Sequence, residues 1–195
     1  MAARSSKGAT LLTSILPDLL EPGLDLVLCG TAPSRISKQV GAYYATQGNL
    51  FWPTLHEVGL TPRRMAPLEY AGVLAFRIGL TDLNKTEWGS DAELSPAAFD
   101  VAGLRAKLVR CAPAAVAFTS KTAGRCFFGK PVDYGRQPDP GGTAVPAGIA
   151  WFVLSSPSGR ARGHWTPAPW RELGVFIAAL RAARGGDHDR EDQPG

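Results

Sequence analysis

Five short stretches of the sequence concentrate side chains able to do chemistry. Gly30-Thr31-Ala32-Pro33-Ser34 follows an apolar run. It offers backbone N–H groups, and its glycine lets another group come close. Tyr43 and Tyr44 supply aromatic planes, and Asn49 places a carboxamide ahead of Phe51 and Trp52. Thr81-Asp82-Leu83-Asn84-Lys85 holds a carboxylate that can take a proton or face a developing positive charge, with a second carboxamide two residues on. Thr119-Ser120-Lys121 adds hydroxyls and an ammonium. Ser155-Ser156-Pro157-Ser158-Gly159-Arg160, with Arg162, combines hydroxyls and guanidinium groups of the kind that bind phosphate. Cys29, Cys111 and Cys126 are odd in number and form no Cys-x-x-Cys pair, and His56, His164 and His188 lack metal-ligand spacing. Neither a disulfide framework nor a metal site is expected, and no cofactor. The Gly-x-x-x-x-Gly-Lys-Ser/Thr loop is absent, which argues against a nucleotide hydrolase of that type.

The elements that must position these stretches follow from apolar patterning. Near-continuous apolar runs at 24–29, 73–80, 114–118 and 149–154 predict buried strands. Helical spacing predicts helices over 49–58, 95–110, a short one after Ser120, and 167–184. Ser95-Pro96 has the form of an N-cap followed by proline in the first turn. The Gly/Pro-rich segment 131–148 is expected to be loop. Strands alternating with helices imply a mostly parallel sheet covered on both faces, an α/β three-layer αβα architecture with four strands. Ligands of such folds sit at the carboxyl ends of the strands, where the reactive stretches fall.

The chain has 195 residues, 45% hydrophobic and 19% charged, enough for one sizeable core. It divides into a leader, 1–23, a single domain, 24–184, and an acidic tail, 185–195, expected to be disordered. The net charge is +4; the last eleven residues carry a local −3, leaving +7 on the rest, mostly from arginine. A basic, arginine-rich body suits a polyanionic partner, although a soluble basic protein has the same composition. No run reaches the length of a membrane span and no secretory signal is apparent, so a cytoplasmic monomer is expected.

The motifs at the strand ends resemble those of the uracil-DNA glycosylase superfamily, in particular its mismatch-specific uracil/thymine branch and its hypoxanthine branch. The first has Gly-x-Asn-Pro-Gly after the first strand, Asn-x-Phe-Trp at a helix start, and a late Asn-Pro-Ser-Gly. The second has Gly-Thr-x-Pro-Gly and Tyr-Tyr-Ala. The chain matches at Gly30, Thr31, Pro33, Tyr43, Tyr44, Ala45, Asn49, Phe51, Trp52, Pro157, Ser158 and Gly159, over about residues 24–180. The resemblance implies a DNA repair glycosylase that flips uracil or a related deaminated base out of DNA and hydrolyses its N-glycosidic bond. A damage-binding protein of weak or no activity on the same scaffold is the alternative.

The resemblance also implies roles. Tyr44 would stack on the base, while Gly30, Thr31, Ala32 and Ser156 line the base pocket. Phe51 and Trp52 are expected mainly in the core. Asn49 suits a helix N-cap as well as a pocket, and with Asp82 and Asn84 it is a candidate for the catalytic polar group. Where the mismatch-specific branch orients water with an asparagine, this chain has Ala32, and the family's late asparagine is Ser156. The histidine of the main uracil-specific branch is also missing, since none precedes His164 in the late loop. Thr81 to Lys85 resembles the Thr-Asn-x-x-Lys of other branches, so Asp82 would align the water or stabilise the cationic sugar, with Asn84 second in line for either role. As a bare sequence feature, Asp82 could equally be a cap or loop acid. Ser34, Lys121, Ser158, Gly159, Arg160 and Arg162 are the expected DNA contacts, with Arg160 where the family plugs the vacated stack. Arg125, Lys130 and Arg136 form a second candidate DNA surface.

Overall fold

The computed structural model describes residues 14–141 and 145–191. Its sheet is built from β1 (Leu26–Gly30), β2 (Ile78–Asp82), β3 (Ala115–Phe118), β4 (Gly135–Gln137) and β5 (Ala150–Val153), in the order β2-β1-β3-β5-β4. Every neighbouring pair is parallel except β4 with β5. The helices are α1 (Arg35–Val40), α2 (Phe51–Glu57), α3 (Val101–Cys111), α4 (Lys121–Phe128) and α5 (Ala168–Glu191).

All residues of β1, β2, β3 and β5 are buried, as strands covered on both faces must be. Alternate side chains feed two cores. Leu26, Leu28, Leu80, Ala117 and Phe152 pack with Phe51 and Leu55 of α2 and with Trp170, Leu173 and Ile177 of α5. Val27, Cys29, Val116, Phe118, Trp151 and Val153 pack with Leu104 and Leu108 of α3 and Phe127 of α4 on the other face. The three layers expected from the apolar runs are therefore present.

The boundaries differ where local chemistry competes. The sheet has five strands rather than four, because Gly135–Gln137 pairs with β5 inside the segment expected to be loop. Those three residues carry no apolar pattern; they are held by the exposed edge of β5, and Arg136 lays its guanidinium 5.1 Å from the Phe176 ring centroid of α5. The strand expected at 73–80 begins at Ile78: Pro67–Phe76 coils as 3₁₀ turns and Arg77 turns left-handed at φ 56°. Asp82 thereby becomes the last residue of β2. The helix expected from Pro96 opens as a single 3₁₀ turn, and α3 starts only after Asp100, whose carboxylate accepts from Gly103 N at 2.7 Å. α2 starts at Phe51, with the Asn49 carboxamide oxygen accepting from Phe51 N at 2.9 Å.

The described part of the expected leader joins the domain. Leu19 exchanges backbone hydrogen bonds of 2.9 and 3.0 Å with Leu80, closing the outer edge of β2, and Leu16 is buried in the first core. At the other end α5 continues to Glu191, through most of the acidic segment expected to be disordered.

Candidate active site

The carboxyl ends of β1, β2, β3 and β5 open into one cleft of about 1170 Å³. Its floor comes from the Gly30–Ser37 loop and Asp82. One wall comes from Tyr43, Tyr44 and Asn49, another from Thr119 to Thr122, and the late loop Ser156–Ala161 closes the far side. Register sets the floor: Gly30 and Asp82 are partners at the ends of β1 and β2. A Cβ at Gly30 would overlap the Asp82 carboxylate and approach the Tyr44 hydroxyl to 3.2 Å. The glycine leaves room for both side chains.

Asp82 is 4% exposed, and its Oδ2 has no hydrogen-bond partner among the described residues. Burial pushes its pKa up to about 7, against the pull of Lys85 and Lys107, with Asp18 adding to the rise. A carboxyl group placed in this way exchanges a proton near neutral pH. Beneath it lies a second charged cluster. Asp18 accepts from Lys85 Nζ at 2.8 Å, Lys107 Nζ at 2.7 Å and Thr81 Oγ1 at 2.6 Å. Burial raises the Asp18 pKa, but these hydrogen bonds outweigh it and hold the group below its usual range. Lys85 also donates to the Tyr43 hydroxyl at 3.1 Å, which donates to Pro17 O at 3.1 Å. Tyr43 is thus a buried strut.

Tyr44 sits at the cleft in a left-handed conformation, φ 54°. Its ring stacks on Phe51 with centroids 3.7 Å apart and planes 11° from parallel, and its hydroxyl lies 3.1 Å from Thr119 Oγ1. Two attachments hold the ring in one plane, and burial with the nearby Asp82 charge keeps the phenol protonated. Asn49 lies at the same wall, its carboxamide oxygen engaged by Phe51 N, which leaves the amide donors. Leu50 N donates to Pro157 O at 2.9 Å, tying this turn to the late loop.

Of the other residues singled out by sequence, Thr31, Ala32, Ser34, Lys121, Ser156, Ser158, Gly159 and Arg160 all line the cleft. Thr31 Oγ1 lies 3.0 Å from Ser120 Oγ, Ser34 caps α1 by accepting from Ser37 N at 3.0 Å, and Ser158 N donates to Ser156 Oγ at 3.4 Å. Lys121 sits 4.5 Å from the Tyr134 ring centroid and 3.3 Å from Asp133. Arg162 is in the turn Gly159–His164, with its side chain outside the described set. Asn84 is not at the cleft. It is fully buried, its oxygen accepts from Thr86 N and Glu87 N, and its nitrogen donates to Glu87 Oε2 at 2.9 Å. Its carboxamide shapes the loop after β2. Sequence reasoning passed over Trp88, Ser90, Asp91 and Glu93, which that loop brings to the rim; the signal available was a lone tryptophan in a polar stretch.

A family model described as the Uracil DNA glycosylase superfamily matches residues 17–175. The chain belongs to that superfamily. The solution NMR structure of a protein from Methanosarcina acetivorans, provisionally named a uracil DNA glycosylase, shares the fold. It superposes with a TM-score of 0.59 at 21% identity, covering 86% of this chain and 98% of that one. Within a superfamily of DNA glycosylases, a strand-end cleft holding an aromatic plane and an unpaired buried carboxyl group is the candidate base pocket. Among the described residues no helix is long and apolar enough to cross a membrane.

Proposed function

We propose that the protein is a monofunctional glycosylase that flips uracil, or a related deaminated base, from DNA into this cleft and hydrolyses its N-glycosidic bond. The observation that carries the reading is Asp82, a buried carboxyl group at the cleft whose Oδ1 lies against Gly30 and whose Oδ2 has no hydrogen-bond partner among the described residues. The flipped base stacks on Tyr44, with Phe51 behind the ring, and the Asn49 amide donors serve a carbonyl of the base edge. As the C1′–N bond breaks, its electron pair leaves with the base and positive charge grows on the sugar. The ionised Asp82 stabilises that charge and aligns a water, whose oxygen bonds to C1′ and whose proton passes to the carboxylate. The base anion takes its proton from solvent, and an abasic site remains. Ser34, Lys121, Ser158, the Gly159 amide, Arg160 and Arg162 hold the flanking phosphates. The protein works as a monomer without a cofactor.

Ala32 and Ser156 favour a second reading. They stand at the cleft where the mismatch-specific branch carries asparagines, so a cleft that binds damaged DNA without cleaving it is the competitor. The two separate in one assay. Oligonucleotides carrying uracil, hypoxanthine, xanthine or a thymine mismatch are incubated with the protein and treated with alkali. Strand scission at the base supports the glycosylase, and tight binding without scission in every case supports the binding protein.

A further inference from the structure

Trp88 stands apart from the other tryptophans with described environments. Trp52, Trp151 and Trp170 are buried and Trp165 is half-buried against Trp170, but Trp88 is 40% exposed at the rim of the cleft. Leaving so large an apolar side chain in water forgoes about 1–2 kcal/mol of burial, so its position needs a reason. The loop carrying it is not loose. Asn84 and Glu87 bond to each other, Ser95 N donates to Glu87 Oε2 at 2.8 Å, and Gly89 N donates to Pro33 O at 3.0 Å. The last bond ties Trp88 to the loop that forms the floor of the cleft. Lys38 Nζ lies 4.7 Å from the indole centroid, placing an ammonium against the ring. The same rim carries Asp91 and Glu93, with Arg35 and Arg160 acting on Glu93, so its charges are mixed and the exposed indole is the group there suited to a base.

We propose that Trp88 and Lys38 form a stacking subsite for an unpaired base next to the flipped one, so that the preferred substrate is single-stranded or locally melted DNA. This rests on the glycosylase reading of the cleft. Every base has a π face, so the subsite tolerates sequence, and a base–indole stack is worth ~1–3 kcal/mol. Holding the indole in place beforehand avoids an ordering cost on binding. In a duplex the neighbouring base stays stacked on its own strand and paired, and the subsite has nothing to take.

The test is binding of oligonucleotides containing 2′-fluoro-2′-deoxyuridine, which resists hydrolysis, to the full chain and to Trp88→Ala and Trp88→Phe. Each oligonucleotide is used single-stranded and duplex, intact or with the base on one side removed. Trp88→Ala is expected to weaken single-strand binding by about 5- to 150-fold, the range of one stack. Trp88→Phe retains most of the affinity, and duplex binding shifts by less than about 2-fold. Removing one neighbouring base costs the wild type the same factor and costs Trp88→Ala nothing further. Trp88→Ala binding as wild type does, or losing affinity equally with and without the neighbouring base, overturns the subsite. Uracil excision by the wild type is scored separately. Excision with no Trp88 effect removes the subsite and leaves the glycosylase standing. A Trp88-dependent loss with no excision of any base removes the glycosylase reading and leaves the single-strand contact.

Discussion

Asp82 carries a proton in the folded state up to about pH 7, whereas an unburied aspartate releases it near 3.8. Between those values the folded chain holds a proton that the unfolded chain has lost, so stability falls as pH rises across the window. The shift corresponds to at most about 4 kcal/mol above it. Asp82→Asn keeps the shape without the charge. Its melting temperature is expected to exceed that of the wild type by a margin that is small near about pH 4 and largest above about pH 7. Thermal melts across pH check this; a margin independent of pH contradicts the buried-carboxyl account. The same variant is expected to lose single-turnover excision by ~10²–10⁴, and the wild-type rate to rise with pH through about 7, because only the carboxylate accepts a proton from water.

Tyr44 makes a separate prediction. Tyr44→Ala removes the base stack, costing ~1–3 kcal/mol in binding of an uncleavable uracil analogue. Tyr44→Phe keeps the ring against Phe51 and loses only the contact with Thr119. Analogue affinity that is the same in Tyr44→Ala and the wild type would remove Tyr44 from the pocket.

Among the elements, a long-range clasp joins α5 to Asp25, the residue before β1. Asp25 is 1% exposed and accepts from Arg77 Nε at 2.9 Å, Arg181 Nε at 3.0 Å and Arg184. Arg181 also donates to Phe76 O at 2.6 Å, so the helix grips the turn that launches β2. Burial raises the Asp25 pKa, but the Arg181 and Arg77 hydrogen bonds more than reverse it, and the net shift is downward. A carboxylate with a lowered folded pKa contributes stability that is complete above its unfolded pKa near 3.8 and is lost as pH falls through the lower folded value. Asp25→Ala removes the shared acceptor of three guanidinium groups that are themselves a third to a half exposed. It is expected to cost about 1–3 kcal/mol at neutral pH, read from urea denaturation midpoints, with the deficit shrinking in acid. A loss below about 0.5 kcal/mol would reduce the clasp to an ordinary surface network.

At the scale of the whole molecule, a +4 chain gathers Lys38, Arg35, Lys121 and Arg160 around one cleft, while Asp187, Asp189 and Glu191 fall in the last turns of α5. DNA affinity is expected to fall with salt, with a log–log slope set by the number of phosphates neutralised. Arg160→Ala should reduce the magnitude of that slope by about one and weaken binding about equally for all sequences. Affinity indifferent to salt would mean that the cleft does not engage a phosphate backbone.

The sequence by itself determined the layers and the order of the motifs. A buried strand writes itself as a continuous apolar run, and each motif follows such a run, so the parallel sheet and the cleft at its strand ends were legible from 24–29, 114–118 and 149–154. It put Tyr44 and Asp82 at a strand end and ranked Asp82 ahead of Asn84, two residues on, without a position for either side chain. Tertiary structure separates their positions: Asp82 pairs with Gly30 and lines the cleft, while Asn84 closes the turn that displays Trp88. It also decided β4, which has no pattern of its own and exists only because β5 offers an edge. The Asp82 pKa was decided there too, since it depends on burial and on Lys85, Lys107 and Asp18, brought together from distant parts of the chain. Periodicity is a property of neighbours in sequence and can be read there. Proton affinity, edge pairing and the direction of a side chain depend on which distant residues arrive beside it, and only the folded chain contains that information.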